Sequence, residues 1–274
     1  MRNAKVFGMQ KKSFELTAKR LGNDVRFLKE TASTNRDVDT AAQAGAAEGL
    51  LIMAETQTEG RGRMTRTWFS PGGANLYFSL LLRPDVELSA VPSLPLVVGL
   101  AVAEAIIACA PALLPKIKWP NDILVSGKKV CGILCELQTK QDKIDYIVIG
   151  IGVNVNLQAA QIPEALKERA TSILIENGAP LNREHLLAEI LNRLEPLYDN
   201  WRAFGFKPLL QNINALDALR GLSVSMELTG SPLEGIASGI QADGALLLQT
   251  AKGPVPIYSG EAHIRGQGSE VRVQ

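Results

Sequence analysis

The longest apolar run in the chain, Ser93 to Leu114, sets the strongest limit on the fold. Pro95, Glu104 and Pro111 interrupt it, so it reads as a helix buried inside a protein and not as a bilayer span. With 274 residues, 46% hydrophobic and 21% charged, the chain is long enough to bury such a helix in a large core. Met1 to Leu21 is charged throughout and has no apolar segment of the kind a cleavable signal requires, so a cytoplasmic protein is expected. Cys109, Cys131 and Cys135 lie scattered in apolar runs, as buried thiols of a reducing compartment do. His185 and His263 are the only histidines, too few to complete a metal site, and none is expected.

Short strands and helices surround this run. Strands are predicted at Val25–Leu28, Leu50–Glu55, Asn75–Leu82, Lys116–Trp119, Ile123–Val125, Val130–Gln138 and Lys143–Gly152. A helix is predicted from Thr31–Asp37 to about Ala44, started by a capping box between Thr34 and Asp37 and stopped at Gly45. A second, amphipathic helix over Asn182–Phe204 lines up Leu186, Leu187, Ile190, Leu194, Leu197 and Trp201. From Leu222 onward the pattern changes to short alternating strands, with a tight turn at Asp243–Gly244. The expected organisation is a short N-terminal segment (1–22, an arm or a single helix), an α+β domain with a mixed sheet and flanking helices (23–218), and a small all-β barrel (219–274).

Charge is distributed unevenly. The formal net charge is only +1, which gives no reason at whole-protein level for a nucleic acid, membrane or acidic partner. Yet residues 59–73, EGRGRMTRTWFSPGG, hold Arg61, Arg63, Arg66 and Trp68 among four glycines. Glycines at 60 and 62 permit φ > 0 and close approach to a ligand, and guanidinium forks suit phosphate or carboxylate. Either this is a mobile anion-binding loop that closes over a substrate, or it is a solvated turn.

Three further stretches carry polar residues at strand ends or in loops. Ser33, Thr34 and Asn35 either cap a helix or bind a polar head group beside its N-terminus. In Lys116–Asp122, Lys118 either reaches a ligand or lies over Trp119. In Gly150–Asn156, glycines allow close backbone approach and Asn154 is able to read a base or amide edge.

Taken in order, Ser33-Thr34-Asn35, Gln57 with GRGRMTRTWFSP, KWPNDI, GIGVN and a small β domain ending in GEAHIR resemble the biotin protein ligases over about residues 24–267. The resemblance implies a class II synthetase-like catalytic domain followed by an SH3-like barrel. It implies ATP and Mg2+ as co-substrate, biotin as substrate and no prosthetic group. Biotin would become biotinyl-5′-AMP, and the acyl group would pass to a lysine on a biotin carboxyl carrier domain. It further implies that Ser33, Thr34, Asn35 and Gln57 surround the biotin ureido end and that Gly60, Arg61, Gly62 and Arg63 form a ligand-ordered loop, with Arg63 near carboxyl and phosphate. Lys118 would hold the reacting oxygens, Trp68 would wall the adenylate and Gly132 would offer backbone to biotin. Asn154 would face adenine, and Arg265 would reach the nucleotide. Asp122 and Lys129 would support the loop or the triphosphate.

Members of this family that act as repressors carry a helix-turn-helix domain of about sixty residues before the catalytic core. About twenty residues precede the Val25 strand here, so a ligase without that domain and without a nucleic-acid partner is expected. A homodimer through sheet edges rests on family analogy alone. The rival readings are a lipoate or octanoate transferase of the same fold, a nucleic-acid-binding regulator and a non-catalytic biotin-binding module.

Overall fold

The structure is a computed structural model and describes residues 16–227 and 232–264. Arg265 and residues 1–15 of the expected N-terminal segment lie outside the described residues.

In chain order the first half forms β1 (Asp24–Thr31), α1 (Thr34–Gln43), β2 (Leu50–Gln57), β3 (Leu76–Leu82), α2 (Leu94–Cys109), β4 (Lys116–Lys118), β5 (Asp122–Val125), β6 (Lys128–Lys140) and β7 (Lys143–Val153). Then follow α3 (Ile173–Asn177), α4 (Arg183–Phe204), α5 (Leu210–Ala215), β8 (Ser223–Glu227), β9 (Leu233–Ile240), β10 (Leu246–Thr250), β11 (Gly253–Ile257) and β12 (Glu261–Ile264). The first seven strands make one mixed sheet, ordered β1-β2-β3-β7-β6-β5-β4, in which only β1 and β2 pair in parallel. The last five make an antiparallel sheet ordered β11-β10-β9-β8-β12, so the SH3-like expectation holds.

The two faces of the large sheet are covered differently. Along β7 the period of two sends Ile147, Ile149, Ile151 and Val153 into the main core, where α2 lies. The other face carries Tyr146 and Val148, which pack with Leu50, Ile52 and Leu81 beneath Val38 and Ala42 of α1. Gly150 and Gly152 continue that second face, Gly150 beneath Asn35 in the first turn of α1 and Gly152 beneath Trp68. One helix therefore shields half of this face, and the glycine half leaves room for side chains of the arginine loop and of the first turn of α1.

α2 is enclosed as its composition demands, with eleven of its residues buried, and α4 packs along it. By length and composition Leu88–Cys109 would also suit a bilayer, but the sheet and α4 occupy its surface. α4 buries Leu186, Leu187, Ile190, Leu191, Leu194, Tyr198 and Trp201, and Leu197 sits at the margin of that stripe. Trp201 donates its indole N–H to Ser93 Oγ at the start of α2, a 2.9 Å tie between the two helices. The described part of the N-terminal segment is an arm. Backbone N–H groups of Lys19, Arg20 and Leu21 all donate to the Glu195 carboxylate on α4. The second sheet shares the main core through Val224, Met226, Leu246 and Leu248, and the Trp119 indole donates to the Gly244 carbonyl.

Two local expectations give way. The Thr34–Asp37 capping box does not form: Ser33 occupies the N-cap, Thr34 begins α1, and Asp37 accepts a hydrogen bond from Thr31 Oγ at 2.7 Å. The two short strands predicted around KWPNDI are present as β4 and β5, whereas the GEAHI segment, read only as a motif, is itself a strand, β12, paired with β8.

Candidate active site

The glycine half of that face is built from cross-strand partners. Lys118 on β4 pairs with Asp122 on β5, Asp122 with Gly132 on β6, Gly132 with Gly152 on β7, and Gly152 with Tyr77 on β3. Paired residues project from the same face, so a lysine, an aspartate and two glycines form one row. The glycines serve space and not unusual torsion. A Cβ on Gly152 would lie 2.5 Å from Trp68 Nε1, and one on Gly132 would lie 2.9 Å from the same ring. A Cβ on Gly150 would lie 2.1 Å from Asn35 Oδ1. These three glycines are a floor on which the Trp68 ring and the Asn35 carboxamide rest.

The arginine loop is a small hairpin above that floor. Arg61 bridges Thr67, Gly62 N–H donates to the Arg66 carbonyl, and Trp68 N–H donates to the Gly60 carbonyl. The left-handed turn falls on Met64 (φ 52°) and Thr65 (φ 66°), and not on Gly60 or Gly62 as expected. Gly60 is needed for close packing instead, because a Cβ there would lie 2.4 Å from the Trp68 carbonyl oxygen. Three arginines tie the hairpin down. Arg61 pairs with Glu136 on β6 at 2.8 Å. Arg63 donates to Asn121 Oδ1 at 3.2 Å and to the Gly260 carbonyl at 3.3 Å. Arg66 pairs with Glu261 on β12 at 2.7 Å, so loop and second sheet meet. The Trp68 indole N–H is buried and has no acceptor among the described residues.

At the far end of the floor lies a polar pocket. Gln57 Oε1 accepts from Thr34 N–H at 2.9 Å, and Gln57 Nε2 donates to Ser70 Oγ at 3.0 Å. Thr34 Oγ and Ser79 Oγ lie 2.7 Å apart, Ser79 donates to Asn35 Oδ1, and Asn35 Nδ2 donates to Glu136 at 2.6 Å. Ser33 is buried yet its hydroxyl makes no capping bond to α1, so capping does not account for it.

Lys118 is half-buried, and burial pushes its pKa below the ordinary lysine value although Asp122 and Glu261 pull it back up. It does not lie over Trp119, whose indole is buried and bonded toward Gly244. Lys129 is the lysine over a tryptophan: its ammonium sits 5.1 Å from the Trp68 ring centre and 2.7 Å from Asp122 Oδ1. Asn154 is buried and donates an amide N–H to the Thr171 carbonyl, so that donor is held within the protein and not turned to a base edge.

Sequence reasoning passed over Ser70, Ser79, Asn121, Glu136 and Glu261. Ser79 had a signal, being the one small polar side chain in the otherwise aliphatic and aromatic strand Leu76–Leu82. Glu136 and Glu261 had none, since their partners are remote in the chain.

A family model described as the biotin/lipoate A/B protein ligase family matches residues 27–154, the span that contains the floor, the loop and the pocket. The fold is that of this class of protein ligase. A second model, the biotin protein ligase C terminal domain, matches residues 221–265. The chain is 38% identical to the bifunctional ligase/repressor BirA of Bacillus spizizenii, over 92% of this chain and 77% of that one. It is 34% identical to the biotin–[acetyl-CoA-carboxylase] ligase of Mycobacterium tuberculosis, over 86% and 87% of the two chains. The Aquifex aeolicus biotin protein ligase in complex with biotin and ATP superposes with a TM-score of 0.78 at 34% identity, covering 88% of this chain and 98% of that one. This chain belongs to the biotin protein ligase family.

Proposed function

We propose that this protein joins biotin to a lysine of a biotin carboxyl carrier domain, that of acetyl-CoA carboxylase or a related enzyme, in two steps at one site. A biotin carboxylate oxygen attacks the α-phosphorus of magnesium-bound ATP and pyrophosphate leaves. The lysine amine of the carrier then attacks the acyl carbon of biotinyl-5′-AMP, and AMP leaves. The observation that carries this reading is the row Lys118–Asp122–Gly132–Gly152 beneath an arginine hairpin.

The residues suit these steps. A glycine floor seats the Trp68 ring as one wall of the site, and the Thr34, Asn35 and Gln57 cluster offers both donors and acceptors to a urea. Lys118 and Arg63 would meet the carboxylate and phosphate oxygens, where negative charge accumulates in the transition state. Arg61 and Arg63 would close over the mixed anhydride and keep water from it. Trp68 would wall the adenylate, and the Asp122–Lys129 pair would steady that wall. Asn154 would act as a strut behind it. Three features favour biotin over a lipoate or octanoate substrate: the GRGR loop, KWPND and a C-terminal domain of the biotin ligase type.

The proposed setting is cytoplasmic, with no nucleic acid or membrane partner. Beyond Ile133, which Asn121 still pairs, residues 134–140 of β6 extend past β5, and this edge near Arg63 suits an approaching carrier domain or a second copy of the chain. Incubation with biotin, Mg-ATP and a carrier domain should add one biotinyl group to a single lysine, read by mass. Absence of both carrier labelling and biotin-dependent pyrophosphate exchange would overturn the reading.

A further inference from the structure

We infer that Glu136 is a positioning residue that sets the direction of the hydrogen-bond chain in the biotin pocket and links that chain to the arginine hairpin. The inference rests on the proposed function. Glu136 lies at mid-strand on β6, with one carboxylate oxygen on the Arg61 guanidinium at 2.8 Å and the other on Asn35 Nδ2 at 2.6 Å. An ionised carboxylate only accepts, so it obliges Asn35 to turn its NH2 toward β6 and its carbonyl oxygen toward Ser79. Ser79 then spends its single proton on Asn35 Oδ1. Thr34 Oγ, 2.7 Å from Ser79 Oγ and 3.2 Å from Gln57 Oε1, is the donor that both acceptors call on, and Ser79 is the nearer. The chain runs one way: Thr34 to Ser79 to Asn35 to Glu136. Its consequence is that Thr34 spends its proton within the protein, on Ser79 or on Gln57 Oε1, and keeps lone pairs able to accept from a ligand N–H. A urea carries such N–H groups and an aliphatic dithiolane does not.

The same carboxylate holds Arg61, so the order of the pocket and the closure of the hairpin share one anchor. Gly150 lies beneath the contact, where any Cβ would meet Asn35 Oδ1 at 2.1 Å, and this keeps the carboxamide seated. A glutamine at 136 has nearly the same shape but can donate as well as accept. Asn35 would then be free to turn over and reverse the chain.

The test is steady-state kinetics of Glu136→Gln, Ser79→Ala and the double variant in the full-length chain, with biotin binding by the unmutated protein measured first by calorimetry. Glu136→Gln should raise KM for biotin about tenfold, the change produced by about 1.4 kcal/mol, with a smaller rise in KM for ATP from the weakened Arg61 pair and the thermal midpoint near its original value. Ser79→Ala breaks the chain without touching the Arg61 pair and should show the same selective defect. The double variant should be no worse than the poorer single, as expected for two links of one network. Unchanged biotin KM in Glu136→Gln, or equal losses for biotin and ATP, would overturn the role of Glu136. Multiplying defects in the double variant would do the same. Should Glu136→Gln not fold, a normal biotin KM in Ser79→Ala alone suffices to overturn it. An unmutated protein that does not bind biotin would overturn the functional reading itself, and this inference with it.

Discussion

Arg66 in the arginine hairpin and Glu261 at the start of β12 form an ion pair at 2.7 Å, although 195 residues separate them. The pair joins the catalytic sheet to the small second sheet across the site. Burial pushes the Glu261 pKa up, but the hydrogen bond and charge of Arg66 outweigh it and hold the carboxyl below its ordinary value. A carboxyl depressed in this way contributes its full support above the ordinary glutamate pKa. That support is lost as pH falls through the lower, folded value. Glu261→Gln should raise KM for ATP about tenfold and abolish the part of the acid-side loss in kcat/KM that the pair causes. An unaltered acid limb in the variant would show that the pair does not control closure.

Lys118 carries the main electrostatic prediction. Lys118→Ala should slow adenylation by about two to three orders of magnitude, the usual loss for one transition-state contact. Because burial lowers its pKa, the ammonium should lose its proton at lower pH than an exposed lysine, giving an alkaline limb in kcat/KM. Lys118→Arg, whose guanidinium stays charged, should move that limb upward even where the rate falls. Biotin-dependent pyrophosphate exchange measured across pH checks both statements.

Gly152 tests the floor. An alanine Cβ would stand 2.5 Å from Trp68 Nε1, closer than atoms pack, so the indole must move. Gly152→Ala should raise biotin KM at least about tenfold and change Trp68 fluorescence, with far-UV dichroism unchanged. Combining it with Trp68→Phe should restore part of the loss, because the two residues share one contact. Simple additivity would rule out the steric account.

Arg63 tests the seal. Its two bonds, to Asn121 and the Gly260 carbonyl, fasten the hairpin at the open end of the site. Arg63→Gly should cost about 1 kcal/mol of stability or less, because both contacts are long and half-exposed. It should form biotinyl-AMP more slowly yet release it, so that an unrelated lysine-rich protein becomes labelled in a streptavidin blot. Labelling no higher than with the unmutated protein, with biotinyl-AMP still formed, would mean that the hairpin does not retain the intermediate.

Periodicity and motif determined much of this protein on their own. The alternation of Ile147, Ile149 and Ile151 with Val148, Gly150 and Gly152 already marks a strand with one greasy face and one bare one. The apolar run that became α2 could only be buried, and the amphipathic stripe of α4 had to lie against something like it. Local chemistry was less decisive: Asp37 was as well placed to cap α1 as to take the Thr31 hydroxyl, and only the position of β1 chose between them. The partners of the polar residues were beyond the sequence altogether. Asn35 meets Glu136 across 101 residues, and Arg66 meets Glu261 across 195, because the fold brings β6 beside the start of α1 and β12 beside the arginine hairpin, both of which precede them by far in the chain. A hydrogen bond depends on distances of a few tenths of an ångström. Such distances arise only when remote strands have paired in one register, so residue type was legible in the sequence, while partnership was decided by the tertiary fold.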